Sequence, residues 1–140
     1  MARLSDVLLV DTSVWHRATH ADVMAAWRDR IDRIAVTPPM RLEVLYSARS
    51  AVDYRDIAEE LDALHQIPCG EAAFRRAEDV QRLLGERSAL HHRSVQITDL
   101  LIAAAAELAD ATVWHYDADY DRIAEVTGQP TEWVVPRGSL

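Results

Sequence analysis

Val7-Leu8-Leu9-Val10-Asp11-Thr12-Ser13 is the stretch on which the fold turns. Its apolar run reads as the end of a strand over Asp6–Val10, buried on both faces as in a parallel sheet. Asp11-Thr12-Ser13 then reads as a polar strand-to-helix turn. Outward from this point, apolar residues at Val23, Met24, Trp27, Ile31 and Ile34 predict a helix over Ala21–Ile34. Ala35-Val36 reads as a short strand stopped by Thr37-Pro38-Pro39. Proline is tolerated in a first helical turn, so a helix is expected from Pro39 to about Arg49. Further helices are predicted over Asp53–Leu64 and over Glu71–Leu84, the second stopped by Gly85. Between them His65–Pro68 is a candidate strand. Glu86–Val95 reads as a loop. Thr98–Asp110 reads as a strong helix with Thr98 as its N-cap. Val113–Tyr116 reads as a strand, Ala118–Val126 as a helix and Glu132–Val135 as a last strand.

Strands alternating with helices predict an α/β fold with a mainly parallel sheet covered on both faces. With 140 residues, 49% of them apolar, the chain is expected to form one domain over 1–140. No apolar run approaches the roughly 20 residues of a membrane span. One Arg followed by Asp6 does not resemble a signal peptide, and the single Cys69 has no internal disulfide partner. A cytoplasmic protein without a membrane partner is the expectation. The net charge of −8 lacks the basic footprint of a nonspecific nucleic-acid binder. The 15 basic residues, however, are all arginine, the better bidentate phosphate ligand. An acidic balance also suits a basic protein partner.

In open parallel sheets ligands bind beyond the carboxyl ends of the strands. Asp11 and Asp117 each directly follow an apolar strand. Asp99 lies in the first turn of the helix leading into the strand that ends at Tyr116, and Glu43 lies among core-type residues in Met40-Arg41-Leu42-Glu43-Val44-Leu45. Singly, each has an ordinary explanation. Asp11 is as readily an N-cap, Asp99 a helix-dipole partner, Glu43 a solvated helix residue and Asp117 a turn former. The combination is what predicts a shared site. Clustered carboxylates repel, and a hard divalent cation relieves the repulsion. Oxygen ligands favour Mg²⁺, with Mn²⁺ as a substitute, over Zn²⁺. The chemistry natural to such a site is phosphodiester hydrolysis.

Leu9-Val10-Asp11-Thr12-Ser13-Val14-Trp15 resembles the opening strand and turn of the PIN family. Arg41-Leu42-Glu43-Val44-Leu45, Thr98-Asp99-Leu100-Leu101-Ile102-Ala103-Ala104 and His115-Tyr116-Asp117-Ala118-Asp119-Tyr120-Asp121-Arg122-Ile123-Ala124 resemble its later acidic motifs, in order along nearly the whole chain. The length and the His-Tyr-Asp-x-Asp form are most similar to VapC toxins. The resemblance implies a PIN-like three-layer sandwich with a central sheet of about five strands. It also implies a homodimer, Mg²⁺-dependent endonucleolytic cleavage of RNA, and neutralisation by a cognate VapB-like antitoxin.

Carried over by position, Asp11, Glu43, Asp99 and Asp117 form the catalytic quartet. Asp11, Asp99 and Asp117 are the metal ligands, and Glu43 binds through water or orients the attacking water. Thr12 and Ser13 are candidates to hydrogen-bond Asp11 or a substrate phosphate, with ordinary capping equally open. Asp119 is a possible accessory acid, with capping of the following helix favoured. Tyr120 stands where the family commonly has Phe and is expected to keep the aromatic packing role.

Other features read more plainly. Arg93 is a candidate phosphate contact, whereas His91-His92 reads as a solvated loop. Trp15, Trp27, Trp114 and Trp133 read as core or dimer contacts rather than base-stacking platforms. Cys69 reads as a small buried side chain. Arg75-Arg76, Arg82 and Arg87 are expected to pair with Glu71, Glu78, Asp79 and Glu86 on the helix surface. An aspartyl phosphatase usually carries a second Asp two residues on, where Ser13 stands, and a Lys, which this chain lacks. A DNA-directed nuclease and a catalytically silent PIN-fold binding module stay open as alternatives.

Overall fold

Leu8–Val10 (β1) is the middle strand of a five-stranded sheet in this computed structural model, which describes residues 6–140. The others are Ile34–Val36 (β2), His65–Gln66 (β3), Thr112–His115 (β4) and Thr131–Trp133 (β5). All pairings are parallel, in the order β3-β2-β1-β4-β5. Leu9 lies opposite Ala35 on one side and Val113 on the other, and Val10 lies opposite Trp114. Leu8, Leu9, Val10, Ile34, Ala35, Val36, Val113 and Trp114 are almost wholly buried, as strands covered on both faces require. The chain runs outward from β1 through β2 to β3, then returns to the other side of β1 for β4. That reversal between β1 and β4 is a topological switch point, where the carboxyl ends of the strands open a crevice.

The helices are Thr12–Trp15 (α1), Ala21–Asp29 (α2), Pro38–Tyr46 (α3), Ala51–Asp62 (α4), Glu71–Arg87 (α5), Ile97–Leu108 (α6) and Asp119–Thr127 (α7). The alanine-rich α6 buries Leu100, Ile102 and Ala103–Ala106, and small side chains let it pack closely against α5 and β4. Gly128, left-handed at φ 71°, ends α7 by donating its N–H to the Ala124 carbonyl. Gln129 then ties this corner to α6 by donating to the Ala103 carbonyl at 2.9 Å. Trp114 stacks on Trp27, which meets Trp15 edge-on, so these three indoles pack against one another.

Several expectations need correction. The helix expected over Ala21–Ile34 stops at Asp29, because Ile34 pairs with Leu8 in the sheet and Ile31–Arg33 form only a 3-10 turn. The helix expected from Pro39 to Arg49 spans Pro38–Tyr46. Gly85 does not stop its helix, which continues to Arg87. A Cβ at Gly85 would lie 3.3 Å from the His92 ring, so the glycine serves the close approach of the turn His91–Arg93. That turn is thus packed on α5 rather than a solvated loop. Gln96, not Thr98, is the N-cap of α6. Arg75 and Arg82 pair along α5 with Glu71 and Glu86, whereas Arg76 reaches Glu107 on α6 and Arg87 reaches Glu125 on α7.

Leu9→Ala is expected to destabilise the protein by about 3 kcal/mol, since a fully buried leucine leaves a cavity the paired strands cannot close. Urea denaturation checks this; a loss below about 1 kcal/mol would show that β1 is not the packed centre of the core.

Candidate active site

Asp11 emerges from β1 at the switch point, almost fully buried. Its N–H donates to the Trp114 carbonyl at 2.9 Å, continuing the parallel pairing one residue past the strand. It is the N-cap of α1: its Oδ2 accepts from the Ser13 N–H at 3.0 Å. On the neighbouring strand tip, the Ser13 hydroxyl accepts from the Tyr116 N–H at 2.9 Å. The Thr12 hydroxyl donates to Glu43 Oε1 at 2.8 Å and so brings α3 to the same crevice. The expected hydrogen bond to Asp11 is thus made by Ser13, through its N–H rather than its hydroxyl.

Asp99 lies in the first turn of α6, 5% exposed. Its Oδ2 is buried without a hydrogen-bond partner. Asp99, Asp117 and Asp119 each offer a carboxylate oxygen, and these oxygens all lie within 4.8 Å of one another. Asp117 Oδ1 accepts from the Asp119 N–H at 2.9 Å in the turn that enters α7, whose N-cap is Ala118 without a side-chain cap, so Asp119 does not cap the helix. The Asp119 carboxylate instead faces Asp99 and is paired on its other side with Arg122. Asp121, the next acid along, leaves the group to bond the Trp133 indole and pair with Arg137. The crevice therefore gathers Asp11, Glu43, Asp99, Asp117 and Asp119. Arg93 is exposed on the turn His91–Arg93, and no ion pair or hydrogen bond among the described residues joins it to these acids.

The crowding has electrostatic consequences. Burial, and then the neighbouring Asp11, Asp117, Asp119 and Glu43, push the Asp99 carboxyl up to about 8. Asp119 is also raised, by burial and by Asp117, with Arg122 partly opposing. Burial lowers His115, whose Nδ1 accepts from the Asp117 N–H at 3.1 Å. A buried carboxylate oxygen lacking any donor, among four further carboxylates and with no sulfur or imidazole in the ligand group among the described residues, fits a hard divalent cation.

Two contributors escaped the sequence. The Tyr120 hydroxyl, expected only to pack as an aromatic, donates to Asp11 Oδ1 at 2.7 Å and lies 3.3 Å from Asp99 Oδ1. Burial and those two charges hold this phenol well above its ordinary pKa. Arg17 is fixed at the rim, donating to the Ser13 carbonyl and lying 4.7 Å over the Tyr116 ring. The i,i+4 spacing from Ser13 was the only signal for it.

Comparison with known proteins agrees with this architecture. The PIN domain family model matches residues 8–126. Over 136 residues the chain is 55% identical to Ribonuclease VapC18 of Mycobacterium tuberculosis, covering 96% of this chain and 99% of that protein. It is 43% identical to Ribonuclease VapC51 of the same organism, covering 94% and 96%. In three dimensions it is similar to a toxin–antitoxin complex from Klebsiella pneumoniae, with a TM-score of 0.70 at 14% identity over 92% of this chain and 98% of that one. It is also similar to a DNA-bound VapBC from Salmonella typhimurium, with a TM-score of 0.67 at 16% identity over 92% and 98%. With its acidic crevice at the switch point of a parallel sheet, the chain belongs to the PIN-domain family.

Proposed function

We propose that this chain is a Mg²⁺-dependent endoribonuclease, the toxin of a VapBC-type toxin–antitoxin pair, built as one PIN domain over residues 1–140. The observation that carries the reading is the convergence of four carboxylates on Asp99, one oxygen of which is partnerless. The ribonuclease names of its relatives support RNA as the substrate. Net charge −8 suits a basic partner, in line with a VapB-like antitoxin, and the family resemblance supports a homodimer. Among the described residues no helix is long and apolar enough to cross a membrane. An RNA substrate and a single cysteine fit a cytoplasmic protein.

On this reading Asp11, Asp99 and Asp117 hold the cation, with Mn²⁺ able to replace Mg²⁺, and Asp119 joins them as accessory acid. A bound divalent ion lowers the pKa of water and stabilises charge on the attacked phosphate. Glu43, steadied by the Thr12 hydroxyl, would orient the attacking water and receive its proton as the P–O bond to the departing ribose oxygen breaks, that oxygen taking a proton from solvent. The Ser13 hydroxyl accepts from Tyr116 and keeps its own proton to donate to a phosphate oxygen. Arg17 supplies a cation at the rim, and Arg93 is a more distant phosphate contact.

Asp11→Asn or Asp99→Asn is expected to lower Mg²⁺-dependent RNA cleavage by more than about 100-fold, beyond the range typical of residues behind the ligands, with the fold retained. Sequencing of RNA ends after brief expression, with RNA and DNA oligonucleotides assayed side by side in vitro, checks this. Full activity in either variant refutes the assignment, and cleavage of DNA alone refutes the substrate.

The raised Asp99 carboxyl also makes stability depend on pH. Without a divalent cation, the unfolded chain releases this proton near the ordinary 3.8 while the folded chain keeps it to about 8. The contribution of Asp99 to stability is therefore fully present below about pH 4 and is lost as pH rises toward 8. Urea melts across this range should show the decline, flattened in Asp99→Asn and opposed by added Mg²⁺. An unchanged slope in the variant would remove Asp99 as the cause.

A further inference from the structure

Tyr120 is wholly buried on the first turn of α7, its ring 4.9 Å from that of His115. A phenylalanine would fill the same space, so ring packing does not account for the hydroxyl. That oxygen stands between two carboxylates brought in by different elements. It donates to Asp11 Oδ1 at 2.7 Å, just past β1, and lies 3.3 Å from Asp99 Oδ1 on α6. The other Asp11 oxygen is already held by the Ser13 N–H. Both oxygens of Asp11 are therefore oriented, one by backbone and one by Tyr120. With Asp11 only 3% exposed, bulk water is poorly placed to take the hydroxyl's role. Groups that hydrogen-bond metal-ligating carboxylates fix their orientation and commonly change metal affinity about 10–100-fold.

We propose that Tyr120 is a positioning residue of the acidic site, its hydroxyl fixing the orientation of Asp11 and its spacing from Asp99 for a divalent cation. The inference rests on the metal-dependent reading of the site given above. Ring and hydroxyl have separate tasks: the ring packs against His115, and the hydroxyl aligns the carboxylates. Tyr120→Phe removes only the second.

The test is thermal melting of the full chain across a Mg²⁺ series for wild type, Tyr120→Phe and Asp99→Asn. A cation that binds only the folded state raises Tm with its concentration. Tyr120→Phe should need about 10–100-fold more Mg²⁺ than wild type to gain the same rise in Tm over its own Mg²⁺-free value. A purely structural role would lower Tm equally at every Mg²⁺ concentration and leave the Mg²⁺ needed for a given rise unchanged, which overturns the proposal. Wild type must show the Mg²⁺-dependent rise and Asp99→Asn must lose it. Failure of that pair overturns the metal reading and this inference together, whereas a sound pair with a wild-type Mg²⁺ response in Tyr120→Phe overturns this inference alone. If Tyr120→Phe does not fold, 3-fluorotyrosine placed at 120 keeps the hydroxyl. Its ¹⁹F resonance should then move over the Mg²⁺ concentrations at which Tm begins to rise, and a resonance indifferent to Mg²⁺ overturns the proposal.

Discussion

The parallel pairing of β1 with β4 is the constraint on which the site depends. Leu9 faces Val113 and Val10 faces Trp114, and the Asp11 N–H continues the ladder to the Trp114 carbonyl. With that register set, Asp11 leaves its strand beside the turn that carries Asp117. A slip of one residue would turn every side chain of β1 to the opposite face, and the burial of Leu8, Leu9 and Val10 opposes such a slip. The switch in strand order supplies the opening, and α6, which leads into β4, brings Asp99 beneath it. Carboxylates separated by up to 108 positions become neighbours through one sheet edge.

The same arrangement costs stability. Asp99 is buried amid four other acids, and its carboxyl responds by keeping its proton far above the ordinary range. Three local features moderate the repulsion. The N-terminal turn of α6 presents the positive end of its dipole to Asp99. Tyr120 places a donor against Asp11, and Arg122 lies against Asp119. None of these gives Asp99 Oδ2 a partner. A protein selected only for stability would replace such a residue. Its retention in the structure is the pattern expected where function and folding stability conflict.

Much of the fold was legible because its strands are short, wholly apolar and followed by polar turns, a pattern that a parallel sheet imposes. Element ends were less legible where tertiary contact overrode local preference. Ile34 fits the apolar period of the preceding helix, but the sheet takes it as the partner of Leu8. Gly85 has the composition of a helix stop, yet the approach of His92 explains it. Strand-tip placement singled out Asp11 and Asp117, and the start of an apolar helix singled out Asp99. The turn in which Asp117 accepts from the Asp119 N–H was not legible, because both acids lie at the same helix entrance and only backbone direction separates them. Nor was the Tyr120 contact, since in sequence a hydroxyl on a core aromatic carries no mark of what lies 109 positions away.

The acidic charge of the chain bears on how RNA is selected under the proposed function. Arg30, Arg41, Arg75, Arg76, Arg82, Arg87, Arg122 and Arg137 are each paired with a carboxylate. Arg17, in contrast, is held by a carbonyl and an aromatic ring and has no carboxylate partner among the described residues. Its charge is therefore less compensated and sits beside the crevice, in a chain whose net charge is −8. Loose attraction to any phosphate backbone, which a basic surface would supply, is weak here. An enzyme of this kind discriminates by the shape and base edges of an exposed loop or end, with the rim arginine aligning one phosphate. Electrostatic capture would favour abundant RNA of any sequence; its absence leaves selectivity to the geometry around the five carboxylates.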